Sequence, residues 1–174
     1  NKANHSHLEL GMFVLDPDGK RWAIDLGGDD YNLPGYFGKQ RWTYYRLGTE
    51  GQNTLIIGGR NQDSRAVAPI VAFQSKPDGA FAVADLSAAY QGQAKAVARG
   101  VALRDRRQVL IQDEIVDPID TVVWQMHTSA KVTVESGVAQ MSIKDARLRA
   151  EIVAPAGAKF ETASAKARDG TLAQ

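Results

Sequence analysis

Two histidines near the start of the chain, His5 and His7, are the residues whose type and spacing most directly suggest chemistry. On an extended backbone, side chains at positions i and i+2 point to the same side. One imidazole can then ligate a metal while the other reaches a substrate. The chain has 3 histidines and two of them form this pair. We therefore interpret the pair as functional, against the alternative of ordinary surface or core histidines.

Asp25 stands at the end of a strand-like run and directly before Leu26 and two glycines. On local sequence alone, a turn cap is the simpler interpretation. However, the turn sequence at residues 16–19 predicts a tight hairpin that pairs residues 8–15 with residues 21–26. That hairpin would bring Asp25 alongside His7. Imidazole and carboxylate groups together are plausible ligands of a borderline metal such as zinc.

The segment 31–46 is dense in aromatic residues and arginine. It supplies Tyr31, Tyr36, Phe37, Trp42, Tyr44, Tyr45, Arg41 and Arg46. One interpretation is a cover over one end of the fold, with Trp42 and one of the two adjacent tyrosines buried. The other is a sugar-binding wall, since flat aromatic faces stack on pyranose rings and arginine pairs with carboxylates. His127, in an alternating run, is better explained as a sheet residue that packs inside.

Strand signals occupy most of the chain. Val, Ile, Thr and aromatic residues recur at period two, as a half-buried sheet requires. Turn formers separate the runs at spacings of roughly 8–12 residues, which is typical of a sandwich and not of βαβ units. The predicted strands are 8–15, 21–26, 55–57, 70–74, 80–85, 94–104, 107–116, 120–128, 130–135, 138–143 and 147–154.

These patterns predict a single all-β domain, an antiparallel, supersandwich-like β-sandwich over residues 1–160. Residues 84–90 are expected to form one helical turn, and residues 161–174 an edge strand or a frayed tail. A length of 174 residues is enough for one domain with a substantial core.

The composition excludes several function classes. A formal net charge of +1, from 21 basic and 20 acidic residues, supplies no basic face for nucleic acid. No apolar run reaches the ~20 residues of a membrane-spanning helix. The chain has 0 cysteines, so disulfides and thiolate metal sites are excluded. Since the chain lacks an initiator Met, we expect it to be a fragment of a longer protein.

Several motifs taken in order resemble the C-terminal β region of the heparinase II/III-like polysaccharide lyases, a group that includes alginate and oligoalginate lyases. The motifs lie between residues 4 and 128 and read NHSHLELGMFVLD, RWAIDLG, LPGYF, YYRLGTEGQNTLIIGGRNQ and WQMHT. The resemblance implies a two-part enzyme in which a helical α/α toroid precedes the β-sandwich. It also implies cleavage of uronic-acid-containing polysaccharide by β-elimination, with part of the acid–base chemistry supplied by the toroid.

The resemblance also implies roles for individual residues. His5 matches the catalytic histidine of the family, and Tyr36 is the best match for its substrate-contacting tyrosine, with Tyr44 or Tyr45 as alternatives. His7 and Asp25 match two zinc ligands. Gln52 stands where the family usually has the third ligand, a histidine. Because an amide is a poor substitute for imidazole on zinc, we expect weak zinc binding or a site held by hydrogen bonds.

The leading hypothesis is therefore a lyase β domain that contributes His5 and Tyr36 to a composite active site shared with a toroid domain of the same parent chain. A module that binds acidic polysaccharide or oligosaccharide without chemistry, through Tyr31, Trp42, Tyr44, Tyr45 and Arg46, is the second hypothesis. A purely structural sandwich is the third. We expect the parent protein to be periplasmic or secreted in a bacterium, with the cytoplasm left open.

Overall fold

The computed structural model describes residues 5–165, and this part of the chain is built from short antiparallel strands. The strands are β1 (Leu55–Ile57), β2 (Ile70–Lys76), β3 (Gly79–Asp85), β4 (Ala96–Arg104), β5 (Gln108–Val116), β6 (Val122–Trp124), β7 (Lys131–Glu135), β8 (Val138–Ile143) and β9 (Ala146–Glu151). They form sheets in the orders β1-β6, β2-β3-β4-β5 and β7-β8-β9. The predicted all-β sandwich in a single domain is confirmed.

Tight turns set the register of the two larger sheets. Lys76 pairs with Gly79 across a two-residue loop, so the predicted strands 70–74 and 80–85 are joined as a tight hairpin. β8 and β9 likewise pair from Ile143 and Ala146 outward. Along β9 the exposure of the side chains alternates at every residue, as the period-two pattern predicts.

The main core lies between the small β1-β6 sheet and the end of the larger sheet. Leu55 and Ile57 of β1 and Val97 of β4 are buried together with Leu86 and Tyr90. Burial of this apolar surface is the main favourable contribution to folding. Packing of β1 in this core also fixes residues 52–54, which directly precede β1 and lie beneath the site described in the next subsection.

The first predicted hairpin is wrong in one respect. The turn at residues 16–19 forms, and Asp18 there has a φ of 53°, but residues 8–15 and 21–26 do not pair as strands. A single bridge joins Leu15 and Ala23. Instead of a strand ladder, side chains bond several carbonyls of this segment, those of Leu10, Gly11, Phe13 and Ile24.

Two smaller predictions also differ from the structure. Of the predicted strand 120–128, only the three residues of β6 form a strand. Residues 86–90 form a turn with i to i+3 hydrogen bonds, such as Ala89 N–H to the Leu86 carbonyl at 2.9 Å, and not an α-helical turn. Residues 161–165 form no strand, and the rest of the predicted tail, residues 166–174, lies outside the described residues. Between residues 5 and 165, no helix has the length and apolar character needed to cross a membrane.

Arg99 of β4 ties the sheet to the segment without strands. Its guanidinium makes two hydrogen bonds to Asp113 of β5, at 2.7 and 2.9 Å. It also donates to the carbonyl of Gly11 at 2.8 Å and to that of Asn53 at 3.1 Å. Only 2% of the Arg99 side chain is exposed, so each of these partners depends on it.

Replacing Arg99 with methionine should lower the free energy of unfolding by about 3–5 kcal/mol, because the substitution leaves the Asp113 carboxylate buried without its cation. The control is Arg149→Met on β9, whose ion pair with Glu151 is half exposed. It should cost less than about 1 kcal/mol. Urea unfolding at neutral pH measures both. Equal small losses for the two variants would show that Arg99 does not hold the segment.

Candidate functional site

Arg41 fixes the backbone between the two histidines. It is 4% exposed, and its Nε and Nη2 donate to the carbonyl of Ser6 at 3.2 and 2.9 Å. The 3₁₀ turn Arg41–Thr43 places the arginine there. Since Ser6 lies between His5 and His7, this one guanidinium positions both imidazoles. Sequence reasoning treated Arg41 only as part of an arginine-bearing segment and missed this role.

His5 lies in an exposed aromatic cluster. Its Nδ1 is 3.4 Å from the hydroxyl of Tyr31, and its ring contacts the edge of Phe37 with centroids 5.3 Å apart. Tyr31 is 57% exposed and Phe37 is 45% exposed. Exposed aromatic side chains beside a titratable group are typical of ligand contact surfaces. Phe37 was not among the predicted binding residues, although it directly follows Tyr36.

Tyr36 supports this cluster from below. It is 3% exposed, its ring centroid lies 5.0 Å from that of Tyr31, and the Arg41 guanidinium lies 4.9 Å above its ring. A Cβ at Gly28 would come within 3.2 Å of the Tyr36 hydroxyl. The absence of a side chain at Gly28 therefore lets Tyr36 fill the space beneath the exposed rings.

His7 is directed inward, toward Gln52. The Gln52 Nε2 lies 3.4 Å from the His7 Nδ1, and a Glu9 carboxylate oxygen lies 3.7 Å from the same nitrogen. Burial lowers the pKa of His7 below its ordinary value, and the Arg41 charge acts in the same direction, while Glu9 and Asp25 oppose the shift. His7 is thus a largely buried imidazole whose charged form is disfavoured.

The predicted zinc ligands do not form a donor set that fits zinc. Gln52 presents its amide nitrogen to His7, and that nitrogen donates to the Arg46 carbonyl at 2.6 Å. An Asp25 carboxylate oxygen accepts the Gly27 N–H at 2.8 Å. Within residues 5–165, no three His, Cys, Asp or Glu side chains come together in a way that could hold a metal ion. Zinc requires three or four such protein ligands.

Arg46 is engaged by the protein itself. Its Nη1 donates to the carbonyl of Leu26 at 2.8 Å, and its Nε lies 3.8 Å from a carboxylate oxygen of Asp29, whose side chain is fully buried. Arg46 therefore anchors the loop that carries Asp25. Its predicted role in binding a sugar carboxylate is not supported by these contacts.

The two adjacent tyrosines are also structural in their contacts. Tyr44 donates to the Pro34 carbonyl at 2.5 Å, Tyr45 lies with its hydroxyl 2.8 Å from the His127 Nε2, and each is 8% exposed. Trp42 is half-buried and, together with Tyr44 and Tyr45, lines an open groove of about 560 Å³. The cover interpretation thus fits Tyr44 and Tyr45, and the binding-wall interpretation fits Tyr31 and Phe37.

Asn53 and His127 form a buried network behind the site. The Asn53 Nδ2 donates to the carbonyls of Phe13 and Ile24, both at 2.9 Å. Its Oδ1 accepts from the His127 backbone N–H at 2.6 Å and lies 3.2 Å from the His127 Nδ1. Because Oδ1 is an acceptor, the Nδ1 carries the proton and the Nε2 accepts from Tyr45. His127 is thus a satisfied internal residue, as predicted.

Residues 5–165 thus form an antiparallel β-sandwich that presents an exposed histidine beside aromatic rings, on a loop held from behind by Arg41. The comparison with protein families gives the family itself. Residues 1–171 match the family described as Heparinase II/III-like, C-terminal. The chain therefore belongs to the heparinase II/III-like C-terminal family, and the resemblance seen in the sequence is confirmed. Comparison with curated proteins gave no match.

Stability should fall as the pH is lowered from about 7.5 to about 5.5, the range that brackets the ordinary imidazole pKa. Burial lowers the pKa of His127, so in this range the unfolded chain binds a proton more readily than the folded chain. Replacing His127 with glutamine should flatten the pH dependence of the free energy of unfolding. Part of the slope should remain, from His7.

Tyr45→Phe is the matched control for this experiment. It removes the hydrogen bond to the His127 Nε2 but keeps the titrating imidazole, so it should destabilise the protein without flattening the slope. Chemical unfolding at several pH values gives all three curves. An equally steep slope in His127→Gln and in the unaltered chain would refute the assignment.

Proposed function

We propose that this chain is the β domain of a lyase that cleaves a uronic-acid-containing polysaccharide, alginate-like or heparin-like, by β-elimination. It contributes part of a composite active site. The observation that carries the proposal is the position of His5: an exposed imidazole beside the exposed rings of Tyr31 and Phe37, on a backbone fixed by Arg41. Family membership supplies the class of reaction.

Elimination requires a base for the proton next to the uronate carboxyl group, an acid for the leaving oxygen, and neutralisation of the carboxylate. In the proposal, His5 takes up that proton or helps to position the uronate. The Tyr31 hydroxyl orients the His5 ring, and Tyr31 with Phe37 stacks on the sugar. Each of these groups is accessible at the surface.

The carboxylate must be neutralised by a group outside this cluster. Arg41 donates all its guanidinium nitrogens to the backbone carbonyls of Ser6 and Tyr36, and Arg46 is bonded to the Leu26 carbonyl. Arg41 therefore has no free fork with which to bind a carboxylate, and Arg46 also lies 3.8 Å from the buried Asp29 carboxylate. This supports a composite site in which a preceding helical domain of the parent chain supplies the missing charge and the acid.

Tyr36 keeps a place in the proposal as a residue that positions Tyr31. Its burial argues against direct contact with a substrate, which was its predicted role. Zinc has no step in the proposed reaction, because the predicted ligands do not fit it. The periplasmic or secreted location remains part of the proposal for the parent protein.

The 174-residue chain alone should show no lyase activity on alginate or heparin oligosaccharides, because the composite site is incomplete. The ultraviolet absorbance of the unsaturated product measures the reaction. Affinity electrophoresis in gels that contain alginate or heparin measures binding. Robust product formation would contradict the composite site. Tight binding without any activity in the parent protein would favour the alternative, a non-catalytic module that recognises acidic carbohydrate through Tyr31 and Phe37.

In the full parent protein, His5→Ala should lower kcat/KM by at least about 100-fold, the usual contribution of a positioned acid or base. Tyr31→Phe keeps the ring and removes the hydroxyl, so it should lower activity less. Arg149→Gln on β9 is the control for surface substitution and should leave kcat/KM unchanged. Wild-type kinetics in His5→Ala would rule out the proposed role of His5.

A further inference from the structure

We infer that Gln52 holds His7 by a hydrogen bond at the place where the family resemblance leads one to expect a metal, so that this chain has a metal-free version of the site. The inference concerns the residues of this chain only. It holds whether or not the proposed lyase activity is found, since it does not depend on the substrate.

The orientation of the Gln52 amide is fixed by the backbone. Gln52 is 1% exposed, and one of its side-chain polar atoms lies 2.6 Å from the Arg46 carbonyl oxygen. A carbonyl oxygen only accepts hydrogen bonds, so the atom facing it must be the amide nitrogen. The same nitrogen lies 3.4 Å from the His7 Nδ1. The amide oxygen, the only atom of Gln52's side chain that could bind a metal, is therefore turned away from His7.

The tautomer of His7 follows from this orientation. With an N–H donor of Gln52 facing it, the His7 Nδ1 must carry a lone pair, and the proton lies on Nε2. Glu9 lies at 3.7 Å from Nδ1, beyond the range of a good hydrogen bond. A metal bound at Nδ1 would have to displace Gln52 from its bond to the Arg46 carbonyl.

Burial of the Gln52 side-chain oxygen is unfavourable for folding. This Oε1 is buried and has no hydrogen-bond partner among residues 5–165, and an unsatisfied buried acceptor destabilises the folded state. An apolar side chain would avoid that cost. We explain the polar residue here by its two donor contacts, to Arg46 and to His7.

The direct test is metal content. The 174-residue chain, expressed with zinc in the medium, should contain far less than stoichiometric zinc by mass spectrometry after dialysis. Its Tm should be the same with and without EDTA. Gln52→His restores an imidazole, so it should bind zinc at least about tenfold more tightly, a gain of about 1.4 kcal/mol, and its Tm should rise when zinc is added.

Gln93→His is the matched control. Gln93 is also a buried glutamine, 6% exposed, whose Nε2 donates to a backbone carbonyl, that of Asn61, at 2.8 Å and whose Oε1 has no hydrogen-bond partner in the described part of the chain. The substitution introduces the same residue at a similar position without His7 beside it. It should gain no zinc.

Stoichiometric, chelator-resistant zinc in the unaltered chain would overturn the inference. So would a folded Gln52→His variant that gains no more zinc than Gln93→His. If Gln52→His fails to fold, long-range ¹H–¹⁵N spectra of the imidazoles in the unaltered chain still decide. A proton on the His7 Nε2 supports the inference, and a proton on Nδ1 contradicts it.

Discussion

The constraint on which the rest of this structure depends is the need to satisfy buried backbone groups in a segment that has no strand partner. Residues 5–28 run beside the sandwich with a single bridge, yet much of their backbone is covered. Buried polar groups cost free energy unless they are hydrogen-bonded. Here buried side chains take the place of a neighbouring strand: Arg41 bonds the carbonyl of Ser6, Gln62 and Thr54 that of Leu10, Arg99 that of Gly11, Asn53 those of Phe13 and Ile24, and Arg46 that of Leu26.

This arrangement explains why polar residues that look functional in the sequence are buried. Arg41 and Asn53 donate to backbone carbonyls, and Arg46 donates to the Leu26 carbonyl and lies beside the buried Asp29 carboxylate. Their effect is to hold an otherwise irregular segment in one conformation. A catalytic group gains when its own backbone is fixed in this way, because the correct geometry is formed before the substrate arrives. The exposed His5 is the group that benefits here.

The sequence predicted the fold better than the site, for a physical reason. Strands such as β8 and the hairpin of β2 and β3 follow from local alternation and turn chemistry, which a few neighbouring residues determine. The family could also be recognised, because its motifs occur in order along the chain. The roles of Tyr45 and Arg46 could not, since they depend on partners such as His127 and Leu26 that are distant in sequence. Tyr36 is 3% exposed and the adjacent Phe37 is 45% exposed, and no local pattern reports which of two neighbouring aromatic side chains is buried.

The most direct test of this account is amide hydrogen exchange in the segment that has no strands. The Leu10 N–H donates to the side-chain oxygen of Gln62 at 2.9 Å. If side chains hold the segment as firmly as a sheet would, this amide should exchange as slowly as those in the centre of β4. Exchange of the Leu10 amide at the rate of an unstructured peptide, with β4 still protected, would contradict the account.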